Sequence, residues 1–254
     1  VTGAAAAARQ GRVGAYDSGD LIQYSFSPSG LLGLSYRFND QVLGYATLTH
    51  GEKSGGINLT VGAAPRLGTD SLLVGTERVN NAEVGVKSTL FDDRLQLNAN
   101  LFWAEVHGYQ ANVYDQVNRV QYLANAGRVR SRGLEFEATA LPVRGLTVNF
   151  NGSWNDVRYT EYDDAPCPPE LSGGTTVGAG QTPSAPGTPG GLSPANCGIS
   201  GQSLPGVSKW AVSYGAEVNT PLTLLATDGQ LYVGFDGNYR SDFSSNPSPS
   251  IYTN

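Results

Sequence analysis

Long runs of alternating apolar and polar residues constrain this chain more than any other feature. Neighbouring side chains of a β-strand point to opposite faces, so strict alternation describes a strand with two different faces. In residues 146–154 one face is apolar and the other is rich in amides and hydroxyls. The same division recurs in residues 94–103, 210–218 and 231–240. These segments predict antiparallel strands with one apolar and one hydrated face.

The length of these runs favours a membrane environment over a soluble sheet. Strands of soluble proteins are usually about 5 to 6 residues long, whereas a tilted strand needs about 9 to 11 residues to cross a bilayer. The runs here match the longer value, and their polar faces carry many Asn, Ser, Gly and Thr residues. A few charged residues share the polar faces and in a barrel would point into the lumen: Glu83, Lys87, Glu135, Glu137 and Asp236.

The connections between the runs are of two kinds. Four are short and acidic or polar: Asn39-Asp40, Asp92-Asp93, Val143-Arg144 and residues 220–229. The intervening connections are long, at about residues 53–79, 108–126 and 160–206. Transmembrane β-barrels have this asymmetry, with short periplasmic turns and long extracellular loops. We therefore predict an all-β fold, a segment of an antiparallel transmembrane β-barrel with about eight strands in four hairpins, at residues 21–38, 42–52, 81–90, 94–107, 129–140, 146–159, 209–219 and 230–243.

One predicted strand, residues 129–140, breaks the alternation. If Leu134 faces lipid, an unbroken strand also turns Arg130 and Arg132 toward lipid, at a cost of about 2 to 4 kcal/mol near the bilayer midplane and less near the interface. A one-residue bulge at Arg132-Gly133 would return both arginines to the lumen. We predict this bulge, and a position of the arginines near the upper rim is the alternative.

Composition excludes several other classes of protein. The chain has 254 residues, 15% of them charged, and a net charge of −6. No apolar stretch approaches the ~18 residues of a membrane helix, and no Lys or Arg cluster offers a nucleic-acid surface. The chain starts at Val1 without Met or a signal peptide and ends in the polar residues 244–254. We expect it to be an excised part of a larger barrel.

Neither an enzyme nor a metal site is predicted. His50 and His107 are the only histidines and lie in different hairpins, without a nucleophile elbow or a phosphate-binding loop. We therefore expect no catalytic residue, no metal and no cofactor.

The two cysteines, Cys167 and Cys197, lie in the same long connection, residues 160–206. Compartments outside the cytoplasm are oxidising and permit disulfides, so we predict a bridge between the two. Closing a loop of about 30 residues would contribute ~3 to 4 kcal/mol in the chain-entropy model. Two free thiols in a cytosolic loop are the alternative, and the absence of a CxxC pair or a nearby histidine argues against zinc.

Three further segments carry motifs in a specific order. Their sequences are YATLTHGEKSGGIN (residues 45–58), NAEVGVKSTLFDDRLQLNAN (residues 81–100) and NAGRVRSRGLEFEATA (residues 125–140). The series resembles the barrel of TonB-dependent outer-membrane receptors, in which an E-x-G-x-K strand, an acidic turn, an R-L-x-L-N strand and a later N-A-G strand with G-x-E-x-E follow one another. The matching residues here are Glu83, Gly85, Lys87, Asp92, Asp93, Arg94, Leu95, Leu97, Asn98, Asn125, Ala126, Gly127, Gly133, Glu135 and Glu137.

The resemblance implies a barrel of about 22 strands, closed by an N-terminal plug, that moves scarce ligands inward with energy from the TonB complex. It covers most of residues 26–240, without a plug domain, a TonB box or a C-terminal strand ending in an aromatic residue. We therefore predict that residues 1–254 form a partial receptor barrel in the outer membrane of a Gram-negative bacterium. The expected partners are outer-membrane lipid, the TonB complex through the missing N-terminal part, and a small-molecule ligand such as a siderophore.

Ligand contacts are expected on the outer loops and the upper lumen, because aromatic faces and guanidinium groups bind sugars, aromatic compounds and anionic chelates. The candidates are Arg66, Tyr109, Tyr114, Tyr122, Arg128, Arg130 and Arg240. A membrane girdle for the tyrosines and lumen ion pairs for the arginines are the alternatives. Two other functions stay open at this point, a passive porin-like channel and a secreted β-sandwich binding module.

Overall fold

The structure is a computed structural model that describes residues 20–58, 69–115, 120–163, 165, 198–224 and 227–245. None of these residues belongs to a helix with the length and apolar character of a membrane span. The described ranges contain one short 3-10 helix, Thr69–Leu72, and ten strands. The strands are β1 (Gly30–Asn39), β2 (Val42–Lys53), β3 (Gly56–Ile57), β4 (Leu73–Val74), β5 (Glu77–Leu90), β6 (Leu95–Asp115), β7 (Val120–Ala140), β8 (Leu146–Glu161), β9 (Trp210–Leu224) and β10 (Thr227–Arg240).

Eight of these strands form one antiparallel sheet in the order β1-β2-β5-β6-β7-β8-β9-β10. β3 and β4 form a separate two-stranded sheet within the connection from β2 to β5. Among the described strands, β1 and β10 each pair on one side only, so this part of the sheet is open. The prediction of an antiparallel barrel segment with about eight strands in four hairpins is confirmed.

The register of the sheet separates an apolar face from a polar one. One row of paired residues crosses seven strands and is entirely apolar: Leu34, Ala46, Val84, Leu101, Leu134, Trp154 and Trp210. Leu34 is 74% exposed and Leu101 is 55% exposed. Within the described residues no second sheet packs on this face, contrary to the β-sandwich alternative, and an uncovered apolar face of this kind suits lipid. We call it the outer face and the opposite one the inner face.

Three tryptophans on the outer face divide the sheet into two parts. Trp154 and Trp210 are directly paired, with ring centroids 6.5 Å apart, and Trp103 lies two residues higher on β6. We call these residues the tryptophan belt, the part between the belt and the short turns the lower sheet, and the part beyond the belt the upper sheet. The lower sheet contains nine positions, which agrees with the about 9 to 11 that a bilayer requires, in residues 95–103, 146–154 and 210–218.

The short turns at Asn39-Asp40, Asp92-Asp93 and Val143-Arg144 close the same end of the sheet, as predicted. In the first of them, the Oδ1 atom of Asn39 accepts a hydrogen bond from the backbone N–H of Gln41 at 2.8 Å. In the second, Asp92 and Asp93 have φ angles of 55° and 64°. Asp enters this left-handed region more readily than most residues, so the acidic pair suits a tight turn.

The prediction of a loop at residues 108–126 was wrong. β6 and β7 extend through most of this range and form a long hairpin. The pairing shifts between His107 and Tyr109, where Gly108 has a φ of 63°. A bulge changes which residues share a face, so the alternation is interrupted here although the strand continues.

The predicted bulge at Arg132-Gly133 was also wrong. β7 pairs with β6 and β8 without a shift through both residues, so Arg130 and Arg132 share the outer face with Leu134. Both arginines lie at or above the level of the belt, and Asp156 of β8 pairs directly with Arg132. A position near the interface and a carboxylate on the next strand lower the cost of these charges, and neither is visible in the sequence of β7 alone.

Other strand ends differ from prediction by smaller amounts. β1 starts at Gly30 instead of residue 21, and Pro28 lies in the segment before it, since proline has no N–H to donate to a sheet. The fourth turn is shorter than the predicted residues 220–229, because β9 continues to Leu224 and β10 starts at Thr227.

Candidate functional site

The inner face of the lower sheet carries polar side chains that bond across neighbouring strands. The hydroxyl of Tyr45 on β2 donates to the Oε1 atom of Glu83 on β5 at 2.5 Å. Two amides of β6 donate in the same way to carboxylates of β7, Asn98 to Glu137 at 3.4 Å and Asn100 to Glu135 at 3.2 Å. Carboxylate oxygens accept more than one hydrogen bond, so this wall can also bind water or a polar solute.

The E-x-G-x-K motif surrounds one tyrosine of this wall. A Cβ atom on Gly85 would lie 2.5 Å from the ring of Tyr45, so only glycine leaves room for the ring. The ring covers Gly85, its hydroxyl reaches Glu83, and the Nζ atom of Lys87 lies 5.7 Å from its centroid. The three motif residues therefore position an aromatic group on the inner face.

The upper sheet contains a hydrophobic core of its own. Tyr159 and Tyr162 are 4% and 2% exposed, and their ring centroids lie 5.2 Å apart. The ring of Tyr109 lies 6.0 Å from that of Tyr159 in an edge-to-face arrangement, which is a favourable geometry for aromatic pairs. The other buried members of this core, which we call the tyrosine core, are Val113, Val129, Ala165 and Ile199.

Burial also affects the ionisation of two of these tyrosines, both of which lie above the tryptophan belt. Desolvation raises the pKa of Tyr109, and the carboxylate of Glu77 raises it further. Desolvation likewise raises the pKa of Tyr159, with smaller contributions from Tyr109 and Tyr162. The phenols therefore stay neutral at physiological pH and can act as hydrogen-bond donors.

A second set of contacts holds residues 54–58 and 69–76 against the long β6–β7 hairpin. These residues contain the β3–β4 sheet, and we call them the strap. The Nδ2 atom of Asn125 donates to the carbonyl groups of Gly75 (3.0 Å) and Gly108 (2.7 Å), and its Oδ1 atom accepts from the N–H of Gly75 at 2.6 Å. Gln110 donates to the carbonyl groups of Ser54 and Gly75 at 3.2 and 2.9 Å. Asn125, the first residue of the N-A-G motif, therefore connects three segments.

The predicted tyrosines of the ligand site fall in or near the same region. Tyr109 and Tyr122 are partly buried and pack against the tyrosine core. Tyr114 lies in β6 opposite Gln121 of β7. Arg66 lies outside the described residues, as do Cys167 and Cys197, so their roles stay predictions.

The three predicted arginines that the structure describes do not form one cluster. The Nε atom of Arg128 lies 3.2 Å from the Oε2 atom of Glu161 in an exposed ion pair. Arg130 lies on the outer face, with its guanidinium carbon 5.3 Å from the centroid of the Trp103 ring. Arg240 ends β10, opposite Ala211, and belongs to the inner face with Asp236.

Sequence reasoning missed two groups of residues. Tyr159 and Tyr162 were not among the candidates. Tyr159 shares a face of β8 with the polar residues at positions 147–155, which is unusual for an aromatic residue. Asp156 and Arg158 were also missed, although they continue the apolar phase that ends at Trp154. In both cases the signal is a residue type that conflicts with the phase of its strand.

The histidines have partners on the outer face. The Nδ1 atom of His50 lies 2.7 Å from the Oδ1 atom of Asn80, and its Nε2 atom lies 3.5 Å from Glu52. The Nε2 atom of His107 lies 3.7 Å from Glu105. In the part of the chain that the structure describes, no three metal-ligating side chains gather into a possible metal site.

The outer face of the lower sheet is an apolar band whose length matches the thickness of a bilayer, and the opposite face is polar. An antiparallel sheet of this kind is a wall of a transmembrane β-barrel. The family described as "TonB dependent receptor-like, beta-barrel" matches residues 5–254. The chain belongs to this family. Its members are receptors rather than enzymes, in agreement with the sequence prediction.

Solved structures with the same architecture include three iron-uptake proteins. They are the ferric yersiniabactin uptake receptor FyuA from Yersinia pestis (19% identity, TM-score 0.57), the ferric preacinetobactin receptor BauA from Acinetobacter baumannii (16%, 0.55) and the ferric citrate transporter FecA (15%, 0.54). Each similarity covers 86% of this chain and 26% of the other. The chain thus spans about a quarter of the length of these proteins, and the likeness at these identities is one of fold.

Proposed function

We propose that this chain is the barrel part of an active-transport receptor in the outer membrane of a Gram-negative bacterium. The receptor takes up a scarce small molecule, of which a siderophore is the leading example, with energy from the TonB complex. The observation that supports this most strongly is the family match over residues 5–254. FyuA, BauA and FecA all handle ferric chelates, which favours the siderophore class.

In this proposal the two faces of the lower sheet have different tasks. The outer face contacts lipid, and the inner face lines the route of the ligand past the plug, which belongs to another part of the receptor. The acceptors of Glu83, Glu135 and Glu137 keep this route hydrated, so a polar ligand leaves bulk water without losing all its hydrogen bonds. The short turns then face the periplasm and the upper sheet faces the medium.

The ligand contacts are proposed on the extracellular side. Tyr109 and Tyr122 lie at the edge of the tyrosine core, where neutral phenols can donate hydrogen bonds and present an aromatic face. Arg240 offers a guanidinium group on the inner face to an anionic chelate. Arg66, Tyr114 and Arg128 complete the proposed set, whereas Arg130 lies on the outer face and is left out of it.

Uptake measurements in cells test the proposal directly. The full-length receptor is expressed in a strain without other ferric-siderophore receptors, and entry of radioactive iron is measured with a panel of ferric siderophores. We expect saturable uptake of at least one of them, and loss of that uptake when TonB is deleted. Uptake that continues without TonB would instead indicate a passive porin-like channel.

Variants of the inner face give a second readout. The substitution of Tyr109 or Arg240 by Ala should raise the ligand concentration at half-maximal uptake about tenfold, in line with the loss of one good contact of about 1.4 kcal/mol. Leu222→Ala on the outer face of β9 serves as the matched control, because its side chain points away from the lumen. Equal effects of all three substitutions would argue against the proposed ligand site.

A further inference from the structure

Four charged residues form a compact cluster on the outer face at the top of the tryptophan belt. Asp156 of β8 lies at its centre, with its side chain only 7% exposed. Its Oδ2 atom lies 2.9 Å from the Nη2 atom of Arg132 and 3.9 Å from the Nη2 atom of Arg130, and its Oδ1 atom accepts from the Nε atom of Arg158 at 2.5 Å. We call these residues the arginine cluster.

The register places this cluster on the side of the sheet that faces lipid. Arg132 is paired with Trp103 on one side and with Asp156 on the other, and Arg130 is paired with Arg158. The guanidinium carbons of Arg130 and Arg132 lie 5.3 and 5.5 Å from the centroid of the Trp103 ring. Tryptophan is enriched at the boundary between hydrocarbon and headgroups, so the cluster lies at the height of the headgroups.

The cluster has more positive charge than its own carboxylate can balance. Three guanidinium groups against Asp156 leave a formal charge of +2, and the nearby Glu105 lowers this value to +1. The Oε1 atom of Glu105 already accepts a hydrogen bond from the Nε1 atom of Trp103 at 3.2 Å, and its Oε2 atom faces His107. The carboxylate of Glu105 is therefore held by other partners.

Donor groups remain available in the cluster. Each guanidinium carries five N–H donors, whereas Asp156 takes up only a few of them, and the Nη1 atom of Arg158 donates to the carbonyl of Gly201 at 3.2 Å. The Nε atom of Arg130 is buried and has no hydrogen-bond partner among the described residues. Arg132 and Arg158 are 41% and 39% exposed, so a ligand from outside can reach them.

An apolar groove runs beside the cluster and shares Trp103 with it. The groove has a volume of about 630 Å³ and is lined in its lower part by Leu32, Leu48 and Ala82. Its upper end is polar, with His50, Asn80 and Glu105. An apolar channel below a cationic headgroup site has the shape of a binding site for a lipid with a phosphate and an acyl chain.

We propose that the arginine cluster binds a phosphate group of an anionic glycolipid in the outer leaflet, with an acyl chain of the same molecule in the adjoining groove. Arginine forms bidentate, charge-assisted hydrogen bonds with phosphate. Asp156 is a positioning residue that keeps the guanidinium groups together in the absence of lipid. The inference depends on the proposed outer-membrane location, and it is independent of the transported ligand.

Native mass spectrometry of the full-length receptor tests the proposal. The delipidated receptor is titrated in detergent with diphosphorylated lipid A and, separately, with the same glycolipid after removal of both phosphates. We expect the phosphorylated form to bind about tenfold more tightly, as befits charge-assisted bonds, and inorganic phosphate at the same concentration not to displace it. Equal binding of the two glycolipids, or displacement by inorganic phosphate, would overturn the proposal.

A double variant and a matched control locate the site. R130Q/R132Q should reduce the preference for the phosphorylated glycolipid to about twofold or less, because it removes two of the three guanidinium groups. R37Q, which changes an arginine of β1 on the inner face, should keep the full preference. Retention of the preference in the double variant would place the phosphate elsewhere and refute the assignment.

If the double variant does not fold, the comparison of the two glycolipids on the unaltered receptor still decides whether phosphate is recognised. None of these measurements involves uptake, so a negative result leaves the proposed transport function standing.

Discussion

The lower and upper sheets belong to the same strands but bury apolar groups in different ways. In the lower sheet the apolar side chains point outward and stay exposed, as Leu34, Val84 and Phe150 do at 74%, 54% and 44%. In the upper sheet the buried residues lie in a compact core around Tyr159 and Tyr162. The lower sheet therefore depends on lipid for its apolar environment, whereas the upper sheet supplies its own. Substitutions should consequently act by different rules on the two sides of the tryptophan belt.

The largest expected effect is in the upper sheet. Tyr159→Ala removes a ring that is 4% exposed and contacts two other tyrosines, and truncation of a buried aromatic side chain typically costs about 3 to 5 kcal/mol. We expect this loss in the free energy of unfolding of the upper sheet, measured by hydrogen exchange of the full-length receptor. Tyr159→Phe, which keeps the ring, is the control. An unchanged exchange rate in Tyr159→Ala would contradict the view that the upper sheet has its own core.

The next effect should distinguish the two faces of the lower sheet. Ala99 lies on the outer face near the middle of the apolar band, and the neighbouring Asn98 lies on the inner face beside Glu137. Ala99→Arg should destabilise the receptor in lipid vesicles by about 2 to 4 kcal/mol, because the arginine would face the bilayer midplane. Asn98→Arg at the same depth should have little effect. Denaturant unfolding in vesicles measures both, and equal losses would mean that the faces are misassigned.

A smaller effect is expected where the strap meets the β6–β7 hairpin. Asn125→Ala removes three hydrogen bonds to Gly75 and Gly108. Because Asn125 is exposed and water can replace part of these bonds, we expect a loss of about 1 to 2 kcal/mol, confined to the strap. Faster hydrogen exchange of residues 73–76 with unchanged exchange in β8 would agree with this expectation, and a uniform change across the sheet would not.

The smallest effect concerns an ion pair at the surface of the upper sheet. Arg128 and Glu161 are 58% and 57% exposed, and exposed pairs of this kind contribute about 0.2 to 1 kcal/mol. Arg128→Gln should therefore change the free energy of unfolding by no more than this amount, and the change should shrink as salt is added. A loss of several kcal/mol, measured by the same hydrogen-exchange experiment, would show that Arg128 has a role in the core that its exposure does not indicate.

Much of the lower sheet could be predicted from sequence because its signals are local. The alternation in residues 146–154 fixes which side chains share a face, and the acidic pair Asp92-Asp93 marks a tight turn that its backbone angles bear out. The inner-face carboxylates Glu135 and Glu137 followed from the same two-residue period. Lipid provides a uniform apolar surface, so a face that meets lipid needs no particular partner residue, and composition alone identifies it.

The upper sheet and the arginine cluster were less predictable, since both depend on residues from several strands. The bulge at Gly108 changes the phase of β6, so the periodicity up to His107 says nothing of the strand that follows. The tyrosine core requires residues of β6, β7 and β8 and Ile199, which lies beyond residues 166–197 along the chain. Each of these contacts is set by register between strands, which is not encoded within any single strand.

Strands of bilayer length, their apolar face and the resemblance to a family can all be predicted from the sequence, because residue types at short separations carry them. The face on which Arg130 and Arg132 lie and the extent of β6 and β7 depend on how the strands pair. The physical reason is that the free energy of a charged residue at a membrane surface depends on its depth and on its neighbours across the sheet. Depth follows from the position of the tryptophan belt, and Asp156 becomes a neighbour only when β7 and β8 pair.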